Sequence, residues 1–178
     1  MKRILKKMQI RYCFSFILPL LLFSLTSSSQ EKQLWAKSFL NKKAPDLSIK
    51  TWLSEKPETK GKFILLDFWA TWCGPCKKEI PKLNAYSREF KDNLVVIGLS
   101  DESAGKVAQM KKPKIKYFSA LDSEKRLNTI FEIKGIPHAV LIDPDGVVKW
   151  EGFPTLRNHE LTSDVLRDFI SNYKNQKK

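Results

Sequence analysis

The segment KFILLDFWA, residues 62–70, is apolar on both faces around a single acid, Asp67, the pattern of a strand buried inside a parallel sheet. The period then changes. Over residues 75–90, Ile80, Leu83, Tyr86, Ser87 and Phe90 fall roughly on one face of a predicted helix, with Pro81 inside it and expected to kink it. NLVVIGLS, residues 93–100, reads as a second buried strand and residues 101–110 as a helix. KIKYFSAL, residues 114–121, is a further predicted strand, and residues 123–131 a helix with Ser123 placed to cap it. HAVLID and VVKWEG flank Pro144-Asp145-Gly146, a turn signature that makes them an antiparallel hairpin. A last amphipathic helix, about residues 162–173, carries Val165, Leu166, Phe169, Ile170 and Tyr173 on its apolar side.

Upstream, Leu34, Trp35 and Phe39 recur at helical spacing and predict a short leading helix over residues 31–40. Residues 42–62 read as extended segments broken by turns, since Pro45 and Pro57 keep helix away. Strand and helix alternate first, and a hairpin and helix close the chain, so the class is α/β with a mixed sheet.

At 178 residues the chain has room for about one domain. Its first residues change how much of it is expected in the mature protein. Lys2, Arg3, Lys6, Lys7 and Arg11 precede the apolar stretch 14–25 and the small polar run 26–29, the pattern of a secretory signal peptide. The alternative is a retained membrane anchor, but the uncharged stretch falls short of the ~20 residues of a spanning helix. The expected organisation is a signal peptide over 1–29, an N-terminal extension over 30–43, the main domain over 44–174 and a tail over 175–178. Loss of the signal lowers the formal charge from +13 to +8, leaving 27 basic residues against 19 acids. Those lysines and arginines are scattered, without the basic and aromatic interleaving of a nucleic-acid groove, so no nucleic-acid partner is expected.

Three cysteines are present, and Cys13 leaves with the signal. An exported disulfide scaffold would use four or more. Cys73 and Cys76 stand two residues apart around Gly74 and Pro75, and a bridge closing so small a loop contributes little to folding. Chemistry is therefore the favoured reason for the pair. Cys73 falls at the predicted start of a helix, where unpaired N–H groups and the positive end of the helix dipole favour an anion. Lowering a thiol from ~8.5 to ~7 takes about 2 kcal/mol, which a favourable helix terminus can nearly supply. Cys73 is the expected attacking thiolate. Cys76, one turn further in, is the expected resolving thiol.

LLDFWATWCGPCKKEIP resembles the active-site segment of thioredoxin, and IKGIPHAVLID resembles the cis-proline segment of the same fold. KKAPDLSI, Glu79 and LIDPDG point more narrowly, to exported thiol-disulfide oxidoreductases of the TlpA/ResA type. The resemblance runs from about residue 44 to the last helix. It implies a thioredoxin fold, a central mixed β-sheet flanked by helices, here with an N-terminal extension. It makes Asp67 the buried acid that exchanges a proton with Cys76, the alternative being an acid paired with a lysine for structural reasons. It gives Glu79 a role in tuning the cysteine pair, against the plainer reading of a surface residue beside Lys77 and Lys78. Trp69 and Trp72 would frame the site, and Trp72, Gly74, Pro75, Ile136 and Pro137 would meet substrate. A cis bond before Pro137 would turn the Ile136 backbone toward an extended substrate segment.

Gly-Pro between the cysteines and Ile136 before the proline resemble the reducing end of the family. The implied partners are protein disulfides of the cell envelope, with cytochrome c maturation as one setting, and a membrane electron donor of the DsbD or CcdA type. A monomer without cofactor or metal is expected. Two other readings stay open: a disulfide oxidase or isomerase, and a copper-binding module using Cys73, Cys76 and His138. A thiol peroxidase is disfavoured, since no separate peroxidatic cysteine remains in the mature chain.

Overall fold

A computed structural model of the chain describes residues 34–177. The expected signal peptide lies outside the described residues. Six strands form one mixed sheet: β1 (Thr51–Trp52), β2 (Phe63–Phe68), β3 (Leu94–Ser100), β4 (Phe118–Leu121), β5 (His138–Ile142) and β6 (Val148–Gly152). Their spatial order is β1-β4-β3-β2-β5-β6. The inner strands β2, β3 and β4 run parallel, whereas β5 is added antiparallel beside β2, β6 antiparallel beside β5, and β1 antiparallel beside β4. Four helices complete the fold: α1 (Gly74–Glu89), α2 (Ala104–Ala108), α3 (Arg126–Ile130) and α4 (Ser163–Gln176).

The pleat divides the core in two. Leu65 of β2, Trp69 just after that strand and Val96 of β3 point to one face, where they pack with Ile80 and Leu83 of α1, Val107 of α2, and Leu166 and Ile170 of α4. Leu66, Phe68, Ile97 and Leu99 point to the other face, covered by Leu127 of α3 and by Phe39, Ala44 and Leu47 of the N-terminal segment. Each fully buried side chain of this size contributes about 1.5–3 kcal/mol relative to exposure. β2, with neighbours on both edges and a core on both faces, fits the unbroken apolar run that predicts it.

Four local expectations need correction. No helix forms over residues 34–40; there the backbone bonds outward instead, Lys37 N–H to the Phe131 carbonyl at 2.8 Å and Phe39 N–H to the Glu151 carboxylate at 2.9 Å. The apolar spacing reflects Phe39 lying edge-on against Phe131. The helix expected over 101–110 is confined to five residues behind the Ser103 cap, and the strand expected over 114–121 to its last four. Ser123 does not cap α3. The cap position is Lys125, in the left-handed region at φ 54°, and the carboxylate of Asp122 takes the N–H of Asn128 at 2.8 Å. Pro144-Asp145-Gly146 does turn β5 into β6, with Gly146 at φ +76°. α4 starts after Thr162, whose hydroxyl accepts from the Val165 N–H.

Gly98 occupies the middle of β3, opposite Asp67 of β2. A Cβ there would lie 2.8 Å from Cε2 of Tyr117 and 3.1 Å from Nε1 of Trp69. Both rings are buried, so neither can swing aside into solvent. Gly98→Ala is expected to lower stability by about 1–3 kcal/mol, the usual cost of overpacking. Urea unfolding measures it, and an unchanged midpoint would show that the rings are held more loosely than their burial indicates.

Candidate active site

The chain leaves the C-terminal end of β2 at Phe68, crosses Trp69 to Trp72, and enters α1 at Gly74. Cys73 is the residue before the helix, in extended conformation, and Pro75 stands in the first turn, where a missing N–H costs nothing. Cys73 and Cys76 form a disulfide. The Cys76 N–H donates to Cys73 Sγ at 3.1 Å, so the sulfur occupies the position in which a capping oxygen normally sits. Both cysteines are buried, while Gly74 and Pro75 between them are exposed.

Two acids lie beneath. Asp67, at 1% exposure, points with Leu65 and Trp69 into the face that also holds the cysteines. Its Oδ1 has no hydrogen-bond partner, and among the described residues no cation pairs with it. The lysine-paired alternative is thereby set aside. Burial, and secondarily the charge of Glu79, pushes the Asp67 carboxyl up to about 8. Glu79 is not a surface residue: it is 7% exposed on the inward side of α1, and its Oε2 makes no hydrogen bond but lies 3.7 Å from Lys82 Nζ.

The second wall is the loop before β5. The Ile136–Pro137 bond is cis, as expected, and Pro137 is buried. Ile136 packs against both core clusters, one of which contains the cysteines. A shallow groove runs between this loop and the start of α1, lined by Phe68, Trp69, Trp72, Ile133, Gly135 and Ile136. The two tryptophans diverge. Trp72 is 67% exposed at the rim of that groove, whereas Trp69 is core.

His138 does not join the cysteines. The β2–β5 register pairs Phe68 with His138 and Asp67 with Ala139, and paired residues share a face, so the imidazole lies on the side away from the thiols. It sits between the rings of Phe68 and Phe153, each 6.3 Å away, and burial pushes its pKa down to about 4. The copper set of Cys73, Cys76 and His138 is therefore not assembled. Among the described residues no group of three His, Cys, Asp or Glu side chains could hold a metal ion.

Glu102, just past β3, escaped the sequence reading. It is buried, and its carboxylate accepts the N–H of Thr71 at 2.5 Å and the Thr71 hydroxyl at 2.8 Å, with Lys106 Nζ at 2.9 Å. Burial alone would raise this carboxyl, but the Thr71 and Lys106 contacts outweigh it and hold the group below the usual range. Glu102 thus ties down the loop two residues before Cys73. Spacing gives no hint of it, because the contact spans 31 residues.

Comparison with known proteins agrees with this geometry. The model of the AhpC/TSA family matches residues 39–151. The thioredoxin-like protein YneN of Bacillus subtilis is 35% identical over 132 residues, covering 70% of this chain and 78% of YneN. The thiol-disulfide oxidoreductase ResA of Bacillus thuringiensis subsp. konkukian is 31% identical over 140 residues, covering 75% of this chain and 78% of ResA. Among solved structures, the thioredoxin domain of a thiol-disulfide oxidoreductase from Bacteroides vulgatus is 27% identical. It superposes with a TM-score of 0.57 over 75% of this chain and 96% of that one. A mixed sheet, a bridged cysteine pair at the head of α1 and a facing cis-proline agree with what these matches indicate: the chain belongs to the AhpC/TSA family, with relatives among the ResA-type thiol-disulfide oxidoreductases.

Proposed function

We propose that the protein is an exported thiol-disulfide oxidoreductase that works as a reductase of protein disulfides in the cell envelope. The observation that carries this reading is the Cys73–Cys76 bridge at the head of α1, above an unpaired buried Asp67. In the reduced enzyme Cys73, as thiolate, attacks a substrate disulfide. A Cys73–substrate bond forms and one substrate sulfur leaves as thiolate. Cys76 then gives its proton to Asp67 in its ionised form and attacks Cys73 Sγ, which frees the second substrate sulfur as thiolate and closes the Cys73–Cys76 bond. Two electrons pass to the substrate.

The Asp67 environment suits that step. A carboxyl in the ordinary range near 4 would be too weak a base for a thiol near ~8.5 by more than four pH units. A carboxyl pushed up to about 8 is nearly matched to it. Glu79, facing the same space from α1, adds to the rise and so tunes the pair through Asp67. Trp72 and the Ile136 backbone would receive an extended substrate segment along the groove, with Gly74, Pro75 and Pro137 as further substrate contacts outside the groove's own lining.

Export is supported by the basic and apolar N-terminal pattern, with residues 1–29 as the signal and the main domain beginning near residue 44. Among the described residues no helix is long and apolar enough to cross a membrane. A reductase in an oxidising compartment must be recharged, which calls for a membrane donor of the DsbD or CcdA type. Apocytochrome c is one candidate substrate, and a monomer suffices for the chemistry.

Cys76→Ser is expected to accumulate mixed disulfides through Cys73 in cells, and Cys73→Ser none. Absence of adducts, together with no insulin reduction by the wild type, would refute the mechanism. The reduction potential, measured against glutathione or dithiothreitol, should fall nearer the roughly −270 mV of thioredoxin than the roughly −120 mV of DsbA. A value at the DsbA end would reverse the direction of electron flow.

Asp67→Asn should slow resolution of a Cys73 mixed disulfide by about 10²-fold. It should also change the pH dependence of folding. Above pH ~4 the unfolded chain ionises Asp67 while the native state keeps its proton, so this group lowers stability as pH rises to about 8. His138 acts oppositely between pH 6.5 and about 4, where only the unfolded state is protonated. The two slopes offset below pH 6.5, and between 6.5 and about 8 stability should fall by up to about 1.4 kcal/mol per pH unit. Urea unfolding of wild type and Asp67→Asn at pH 6.5 and 8 tests this, and a fall of the same size in both would contradict it.

A further inference from the structure

Six buried side-chain polar atoms among the described residues lack a hydrogen-bond partner, and four of them belong to one face of the sheet: Asp67 Oδ1, Glu79 Oε2, Trp69 Nε1 and Tyr117 OH. They are chemically complementary. The two carboxylate oxygens accept, and the indole N–H and the phenol O–H can donate. Buried polar groups in native proteins are rarely left without partners, so donors and acceptors gathered at one place point to a use.

The sheet explains how they meet. Asp67 of β2 and Trp69 just past its end are two residues apart along the same extended path, since the Trp69 N–H still bonds the Leu99 carbonyl of β3 at 3.1 Å, and so share a face. Gly98 of β3 is the cross-strand partner of Asp67, and its missing side chain admits both the Tyr117 ring and the Trp69 indole, as the 2.8 and 3.1 Å approaches show. Tyr117 stands just before β4, on the flank of β3 away from β2. Its ring therefore reaches back across Gly98 toward the acid. Any residue larger than glycine at position 98 would deny it that path.

We propose that Tyr117 is a positioning residue for proton transfer at Asp67: its hydroxyl is the hydrogen-bond donor that stabilises the negative charge of the Asp67–Glu79 pair, directly or through one bridging water. The inference rests on the proton-acceptor role proposed for Asp67. While Asp67 holds its proton the hydroxyl has little to answer, which fits its unpartnered state beside the disulfide. To take the Cys76 proton Asp67 must first be ionised, and that charge deep in the core needs a donor, which the phenol supplies without carrying a charge itself.

The other groups facing this space do not displace it. From α1 come Glu79, with Lys82 on its outer side, the cysteines, and Tyr86, whose hydroxyl is already committed to the Leu161 carbonyl at 2.7 Å. β2 contributes Asp67, the turn after it Trp69, and β3 contributes Gly98. α2 and α4 offer apolar Val107, Leu166 and Ile170. The Tyr117 hydroxyl itself stays protonated, held well above the ordinary range by burial and then by the charges of Asp67 and Glu79. It can donate at any pH the enzyme meets.

The test is a carboxyl-carbon NMR titration of the oxidised protein with labelled Asp, wild type against Tyr117→Phe. Loss of the hydroxyl should move the Asp67 midpoint alkaline by about one pH unit, a tenfold gain in proton affinity. An unchanged or acid-shifted midpoint overturns the proposal. Because the bridge stays closed, the readout does not depend on turnover. If Asp67 proves not to be the base in catalysis, that failure appears in Asp67→Asn kinetics and is separable from this one. A purely packing role for Tyr117 would leave the midpoint in place. Should Tyr117→Phe not fold, wild-type protein labelled at the tyrosine ring carbon bearing oxygen is titrated instead. The Tyr117 resonance should follow the Asp67 midpoint and be flat in Asp67→Asn, and a flat wild-type curve overturns the proposal.

Discussion

A carboxyl group inside a strand that is covered on both faces and bonded on both edges has nowhere to put its charge. Asp67 occupies such a place, and its surroundings decline to neutralise it: among the described residues no lysine or arginine pairs with it, and the charge that bears on it from α1 is that of another acid, Glu79. The group answers by holding its proton. This arrangement lowers stability relative to an apolar residue, and it puts a carboxyl titrating at about 8 on the sheet face that also holds the two sulfurs. The glycine opposite, the rings it admits and the inward turn of Glu79 all concern this one buried group.

The pleat of the sheet divides labour between its faces. On one lie the cysteines, the acids and the polar cluster; on the other lie Phe68, Phe131 and His138, a packed side without reactive groups in reach of the thiols. A single alternation decides which side a residue joins. His138 follows Pro137 directly, and nearness in sequence suggests a ligand, yet pairing with Phe68 commits it to the far side. Burial then keeps the imidazole neutral down to about pH 4, so it is an aromatic spacer rather than a titrating neighbour of the site.

Most of the fold was legible where the pattern was local and strong. The run around Asp67 was recognisable as a central strand because nothing polar interrupts it except that one acid. α1, β3, the hairpin and α4 likewise follow from period and turn chemistry. What was not legible depends on distant partners. Residues 34–40 carry helical spacing, but their backbone groups are taken by Phe131 and Glu151, more than ninety residues away. Ser123 is a good capping residue by type, but Asp122 reaches the helix N–H instead. The cysteine pair and the cis-proline could be read from motif. The burial of Glu79 beside two lysines, the clamp at Glu102 and the Tyr117 ring could not, since each is set by how elements stack and not by what lies next to them in the chain.

The Glu102 clamp bears on how a substrate would be met. One carboxylate fixes both the N–H and the hydroxyl of Thr71, and an ammonium from α2 fixes the carboxylate. The lip carrying Trp72 is therefore held in shape by folding itself, before anything arrives. A docking chain would not spend its own contacts on ordering that loop, so more of whatever it gains on contact is left for holding it in place.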